Sequence, residues 1–175
     1  MKLIFIMKKI IFVLLITFLF SCKKDEVPVN GEFEKSTQAW NTYKISINNS
    51  YSYITYISSV FGGYNETKII VQNGKITSRI FKAGVYQLGT LQLDVNQAWT
   101  EDITNLNTHT NGAESLTLDD IYEKANKEWL TVDTKKNDVY FSTDTNGLIE
   151  SCGYVTKGCQ DDCFIGVKIK EIKKL

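Results

Sequence analysis

The chain has 175 residues and no net formal charge, 20 Lys and Arg balancing 20 Asp and Glu, with 43% hydrophobic residues. Such a length suits one compact domain and is short for two. The charge balance excludes the basic surface that nucleic acid demands, and a mean hydropathy of −0.17 excludes a polytopic membrane protein. The balance is uneven along the chain: Lys2, Lys8 and Lys9 lie before residue 22, so residues 22–175 hold 17 basic against 20 acidic residues, a net charge of −3.

Lys8 and Lys9 precede the apolar run Ile10 to Phe20, interrupted by Thr17 alone. The run is too short to span a bilayer and fits the apolar region of a secretory signal. It ends in Leu19-Phe20-Ser21-Cys22, followed by Lys23-Lys24-Asp25-Glu26. This resembles the lipobox of bacterial lipoproteins, in which the cysteine thiol accepts diacylglycerol and its freed amine takes a further acyl chain such as palmitate. Residues 1–21 are therefore expected to be a lipoprotein signal peptide, with Cys22 the lipidation site. Two or three acyl chains hold a soluble domain durably, where one does not. Residues 22–31 read as the lipidated cysteine and a flexible tether, and residues 32–175 as a single domain. Lys24-Asp25-Glu26 also resembles the acidic export signal of some Bacteroides and Flavobacterium lipoproteins. The expected location is the outer membrane, with the periplasmic face and the cell surface both open.

Phe33, Thr37, Trp40, Lys44 and Ile47 recur at helical spacing over Glu32–Ile47. Tyr51 to Phe61, rich in aromatic and β-branched residues, predicts a strand closed by Gly62-Gly63. Residues 66–72 and 75–81 flank Asn73-Gly74, which supplies the two positive φ angles of a tight hairpin turn. Residues 82–116 show little pattern beyond the apolar anchors Leu88, Leu91, Leu93 and Trp99, and 104–112 reads as a polar loop. This region is expected either to carry specificity, as exposed loops do, or to be an elaboration without a ligand.

Thr117 opens a second helix as a cap, with Asp120 in the reciprocal capping position and Leu116 placed to meet Ile121. Leu118, Ile121, Tyr122, Ala125 and Trp129 form its apolar stripe. Strands follow at about 138–142, 148–156 and 164–172, the first two joined at Asp144-Thr145-Asn146-Gly147. The expected fold class is α+β, an antiparallel sheet of about five to six strands with two helices packed on one face.

Cys152, Cys159 and Cys163 permit one structural disulfide in an oxidising compartment, leaving one thiol. Spacing does not choose the pair, although a bridge from Cys152 would tie the last hairpin together. The single histidine, His109, and the absence of a paired two-residue cysteine knuckle argue against zinc. The 144–147 turn lacks the final glutamate of a calcium loop, its twelfth position being Gly153. No metal or other cofactor is expected. His109 stands without a nucleophile-elbow motif, and there is no phosphate-binding glycine loop, so catalytic residues are not assigned.

Residues 22–175 carry nine tyrosines, three tryptophans and five phenylalanines. Tyr51, Tyr53, Tyr56 and Trp99 form the candidate binding surface if exposed, and core anchors if buried. The function so read is non-enzymatic binding of an envelope protein or glycan by a lipid-anchored domain. A small carboxylate-dependent hydrolase, or an envelope assembly or inhibitor protein, are the alternatives.

Several pieces together resemble an uncharacterised bacterial lipoprotein family, domain of unknown function 6174, over roughly residues 36–172. These are Trp40, Tyr51-Ser52-Tyr53, Ile69 to Lys75 around Asn73-Gly74, Thr117 to Tyr122, Val139-Tyr140-Phe141, Asp144 to Gly147 and Asp161-Asp162. The resemblance implies the architecture above and assigns no catalytic residues.

Overall fold

The computed structural model describes residues 29–87, 89–90 and 92–175. Residues 1–21, read above as a signal peptide, Cys22 and most of the stretch read as a tether lie outside these residues, as do Leu88 and Leu91. Helix α1 spans Val29–Ser46 and so begins inside the stretch read as a tether. Strands β1 (Tyr51–Ser58), β2 (Gly63–Gln72), β3 (Lys75–Tyr86) and β4 (Leu93–Asp102) follow. Helix α2 (Leu118–Lys124) continues as a π turn over Ala125–Trp129, with Leu130 N–H bonded to the Ala125 carbonyl. Strands β5 (Asn137–Thr143), β6 (Ile149–Thr156) and β7 (Phe164–Lys174) complete the chain. Among the described residues no helix is long and apolar enough to cross a membrane.

The strands form one seven-stranded sheet in the order β4-β3-β2-β1-β7-β6-β5, and every neighbouring pair is antiparallel. The fold is thus α+β, with one strand more than expected. The additional strand is β4, at an edge of the sheet. Its residues are mostly exposed, so burial imposes no clean apolar alternation on Leu93–Asp102.

The expected pair of helices packed on one face does not form. α1 lies closest to β5, and the π turn lies closest to β6 and β7. The β2 to β4 part of the sheet is instead roofed by residues 103–117, which Glu101 and Arg79 hold to the strands.

The helices meet each other through α1 side chains. Trp40 stacks on Tyr122 at 6.2 Å and meets Tyr51 edge-on at 5.1 Å. Its indole N–H donates to Asp119 at 2.9 Å, and Ser36 and Tyr122 hydroxyls pair at 2.7 Å. Tyr51, Ile69, Val71, Leu118, Ile121, Ile149 and Cys152 fill the core beneath. The capping box at Thr117 and Asp120 is present in full, and Leu116 packs against the core. At the β2–β3 turn Asn73 and Gly74 have φ of 51° and 77°, as the Asn-Gly pair requires.

Candidate functional site: a groove at the split in the sheet

The strand register orders the face of the sheet that carries Tyr53 and Ile69 into rows. Tyr53, Ile69, Arg79 and Glu101 lie side by side across β1 to β4. Next come Thr55, Thr67, Phe81 and Trp99, and then Ile57, Asn65, Ala83 and Gln97. The first row is buried. The second is partly covered by Gly112, where an added Cβ would stand 3.0 Å from both Phe81 and Trp99. The third row is left open, with Ile57 64% exposed.

On the other side of β1 the sheet divides. Pairing of β1 with β7 runs from Tyr51 opposite Lys174 to Thr55 opposite Ile169, then stops. Lys170 is the extra residue at this irregularity, because Ile54 faces Glu171 while Thr55 faces Ile169. Beyond it, β7 pairs with β6 over Phe164–Lys168, and Tyr56–Ser58 pair only with β2. A cleft of about 410 Å³ fills the gap, lined by Ile57, Leu116, Ile121, Trp129, Phe164 and Val167 among others. A second hollow of about 340 Å³ crosses the open row past Asn65, Gln97 and Asn111. Thr55, Tyr56, Ile57 and Ala113 line both, so the two hollows are neighbours and together make the candidate groove, bordered by residues of the 111–116 segment.

The wall is fixed by a buried charge. Glu101 is 0% exposed and accepts the backbone N–H groups of Asn107 and His109, each at 2.8 Å. The His109 ring Nδ1 lies 3.0 Å away and Arg79 Nη1 3.2 Å away. Burial opposes the charge, but these donors and the guanidinium outweigh it and hold the Glu101 carboxyl at about 2. Arg79 also donates to Asn107 Oδ1 at 2.9 Å and to the Asn111 carbonyl at 3.3 Å. Trp99 lies between His109, stacked at 4.4 Å, and Phe81, stacked at 5.2 Å, with its N–H on Asn111 Oδ1.

On the opposite face of the sheet, Glu66 accepts from Tyr64 OH at 2.5 Å, Lys170 at 3.0 Å and Lys82 at 2.9 Å. Partial burial again opposes ionisation, and these three donors again prevail, placing Glu66 at about 2. Burial and the Glu66 contact push the Tyr64 phenol up to about 12.

The structure separates the candidate binding residues. Tyr51 and Tyr53 are 0% and 2% exposed, which makes both of them core anchors, the second of the two roles open to them, with Tyr53 at the inner lining of the cleft. They are large enough to span the core, and their hydroxyls reach the chain that enters α2: Tyr51 accepts Leu118 N–H at 2.8 Å, and Tyr53 donates to the Leu116 carbonyl at 2.6 Å. Tyr56, on the other strand parity, is half-buried at the groove. Trp99 is spent holding the wall. Cys159 and Cys163 form the disulfide, with Cα atoms 6.3 Å apart, and Cys152 is a buried free thiol on β6. The bridge closes a small loop before β7 and does not tie the β6–β7 hairpin through Cys152. Asp144 turns its carboxylate inward to accept the Asn146 and Leu148 N–H groups at 2.8 and 2.9 Å, closing the β5–β6 turn.

Sequence reading missed Thr55, Asn65, Gln97 and Asn111, whose role depends on register across four strands. The break in parity along β7, where Val167 and Ile169 give way to Ile172, is the one local sign of the split. No family model matches the chain, and no curated protein or solved structure is significantly similar to it.

Proposed function

We propose that this chain is a lipid-anchored module of the bacterial outer membrane that binds an envelope protein or glycan without catalysing a reaction. Cys22 is the anchor in this reading, and the groove across the split sheet is the binding site. The observation that carries it is the adjacency of the two hollows. They set an apolar cleft beside a row that includes the polar side chains of Thr55, Asn65 and Gln97, a lining suited to orienting a chain-like ligand. The resemblance to the lipoprotein family named above is consistent with this placement.

Two acidic residues line the cleft, Glu114 and Asp162. Glu114, on the groove wall, is engaged by Lys124 at 2.8 Å.

Hydrogen exchange of the full chain, produced lipidated in a bacterial host, tests the reading. Separate additions of sacculi, lipopolysaccharide and an envelope protein fraction are expected to include one that slows exchange at 55–58, 111–114 and 164–168. Uniform exchange there with every fraction overturns the groove as the site. A Cys22→Ser chain that still labels with palmitate and stays with the membrane overturns the anchor.

A further inference from the structure

The geometry points to an extended polypeptide as the occupant of the split, entering as an added strand between β1 and β7, with apolar and acidic residues in alternation. This deepens the binding reading above and rests on it.

Three observations carry it. First, the walls of the cleft are themselves strand edges. β1 past Thr55 and β7 before Ile169 each have one neighbour only, on their far sides. An unpaired edge presents backbone N–H and C=O groups that an incoming extended backbone satisfies. A sugar chain or a helix does not present its donors and acceptors at that repeat.

Second, a strand placed there sends alternate side chains to opposite faces. On the face that carries Tyr53 they meet Leu116, Ile121, Trp129 and Val167, a pocket suited to apolar groups. Ile57 and Ile165, 64% and 49% exposed, flank the entrance.

Third, the opposite face carries excess positive charge. Lys168 extends over the Phe164 ring at 5.0 Å and enters none of the ion pairs among the described residues, and Lys68 likewise has none there. Lys82 and Lys170 share the single carboxylate of Glu66. Acidic side chains at alternate positions complement this set. Asp162 lies at the end of the cleft beside the Cys159–Cys163 loop and disfavours an acid at that end of the peptide.

The test uses the full chain in detergent micelles and two sets of peptides of about six residues, a common strand length. One set alternates Val, Ile or Phe with Asp or Glu, and the other holds the same residues in blocks. Alternating peptides are expected to bind and to slow exchange at 56–58 and 164–168. Methylating alternate peptide nitrogens is expected to abolish binding, and Lys168→Glu to weaken it about tenfold while Lys168→Arg retains it. Equal binding of block peptides, or tolerance of N-methylation at both parities, overturns strand addition. Protection of the groove by maltohexaose or cellohexaose, with none from the peptides, overturns strand addition and leaves the binding module standing. Protection by neither peptides, oligosaccharides nor envelope fractions overturns both.

Discussion

Glu101 Oε1 receives both the backbone N–H and lies within reach of the ring Nδ1 of the same residue, His109, at 2.8 and 3.0 Å. Arg79 approaches the other oxygen at 3.2 Å. One carboxylate on β4 therefore ties a loop of polar residues to the sheet, and this contact sets the wall of the groove. Breaking a buried pair by removing one partner leaves the other charge without compensation. Glu101→Gln is expected to cost about 3–5 kcal/mol, measured by urea unfolding. A double variant that also carries Arg79→Met should lose less than the two single losses added, because it removes the stranded cation with the anion.

Acid should unfold the protein along a path set by the same group and by Glu66. Both carboxyls are held at about 2, below the ordinary value of 4.5. The unfolded chain thus takes up protons first as pH falls, and protonation favours it. The stability from both groups is fully present above about pH 4.5 and is lost progressively between 4.5 and 2. Chemical denaturation at a series of pH values is expected to show this decline. Glu66→Gln and Glu101→Gln should each flatten it; an unchanged acid limb in both would exclude these two groups as its source.

The parts of this fold legible in sequence are those determined by neighbours in the chain. Asn73-Gly74 specifies its hairpin through backbone φ, and Thr117 with Asp120 specifies the start of α2 through two reciprocal hydrogen bonds. β4 was hidden because an exposed edge strand need not alternate. The split was hidden because it depends on where β1 and β7 stop pairing, 114 positions apart at Thr55 and Ile169. Tyr51, Tyr53 and Tyr56 illustrate the limit: their alternation shows that two share a face, and only the tertiary fold decides that this face is the buried one.

Gly112 brings the wall close against Phe81, Trp99 and Thr67 of the sheet. Its φ is +88°, and an added Cβ would press on Phe81 and Trp99 at 3.0 Å and Thr67 Oγ1 at 3.1 Å. Gly112→Ala is therefore strained in backbone and in packing, with an expected cost above about 1 kcal/mol. Faster amide exchange confined to 107–116 and altered Trp99 fluorescence would mark the loosened wall. Unchanged exchange there would show that the wall does not depend on this contact.

Cys152 and the Cys159–Cys163 pair should behave oppositely towards an alkylating agent. Burial pushes the Cys152 thiol up to about 12, and the thiolate is the reactive form. Reduction of the folded protein should expose Cys159 and Cys163 to iodoacetamide while Cys152 stays unmodified, and urea should then release it. Peptide mass analysis distinguishes the sites. Labelling of Cys152 before Cys159 would contradict the pairing and the burial together.

The two buried tyrosine hydroxyls supply the last prediction, because they join the strand that begins the sheet to the chain that walls the groove. Tyr51→Phe removes the acceptor of the Leu118 N–H, and Tyr53→Phe removes the donor to the Leu116 carbonyl. Both changes keep the ring and its packing, so they isolate the hydrogen bond. Leaving a buried partner unsatisfied costs about 1–3 kcal/mol, and Tyr51→Phe should show the larger loss because Leu118 is fully buried and water has least access to its N–H. Unfolding in urea measures that loss, while exchange at 116–118 reports whether the entrance to α2 opens locally before the whole domain does. Stability unchanged in both variants would mean that these hydroxyls are not what fixes the wall to β1.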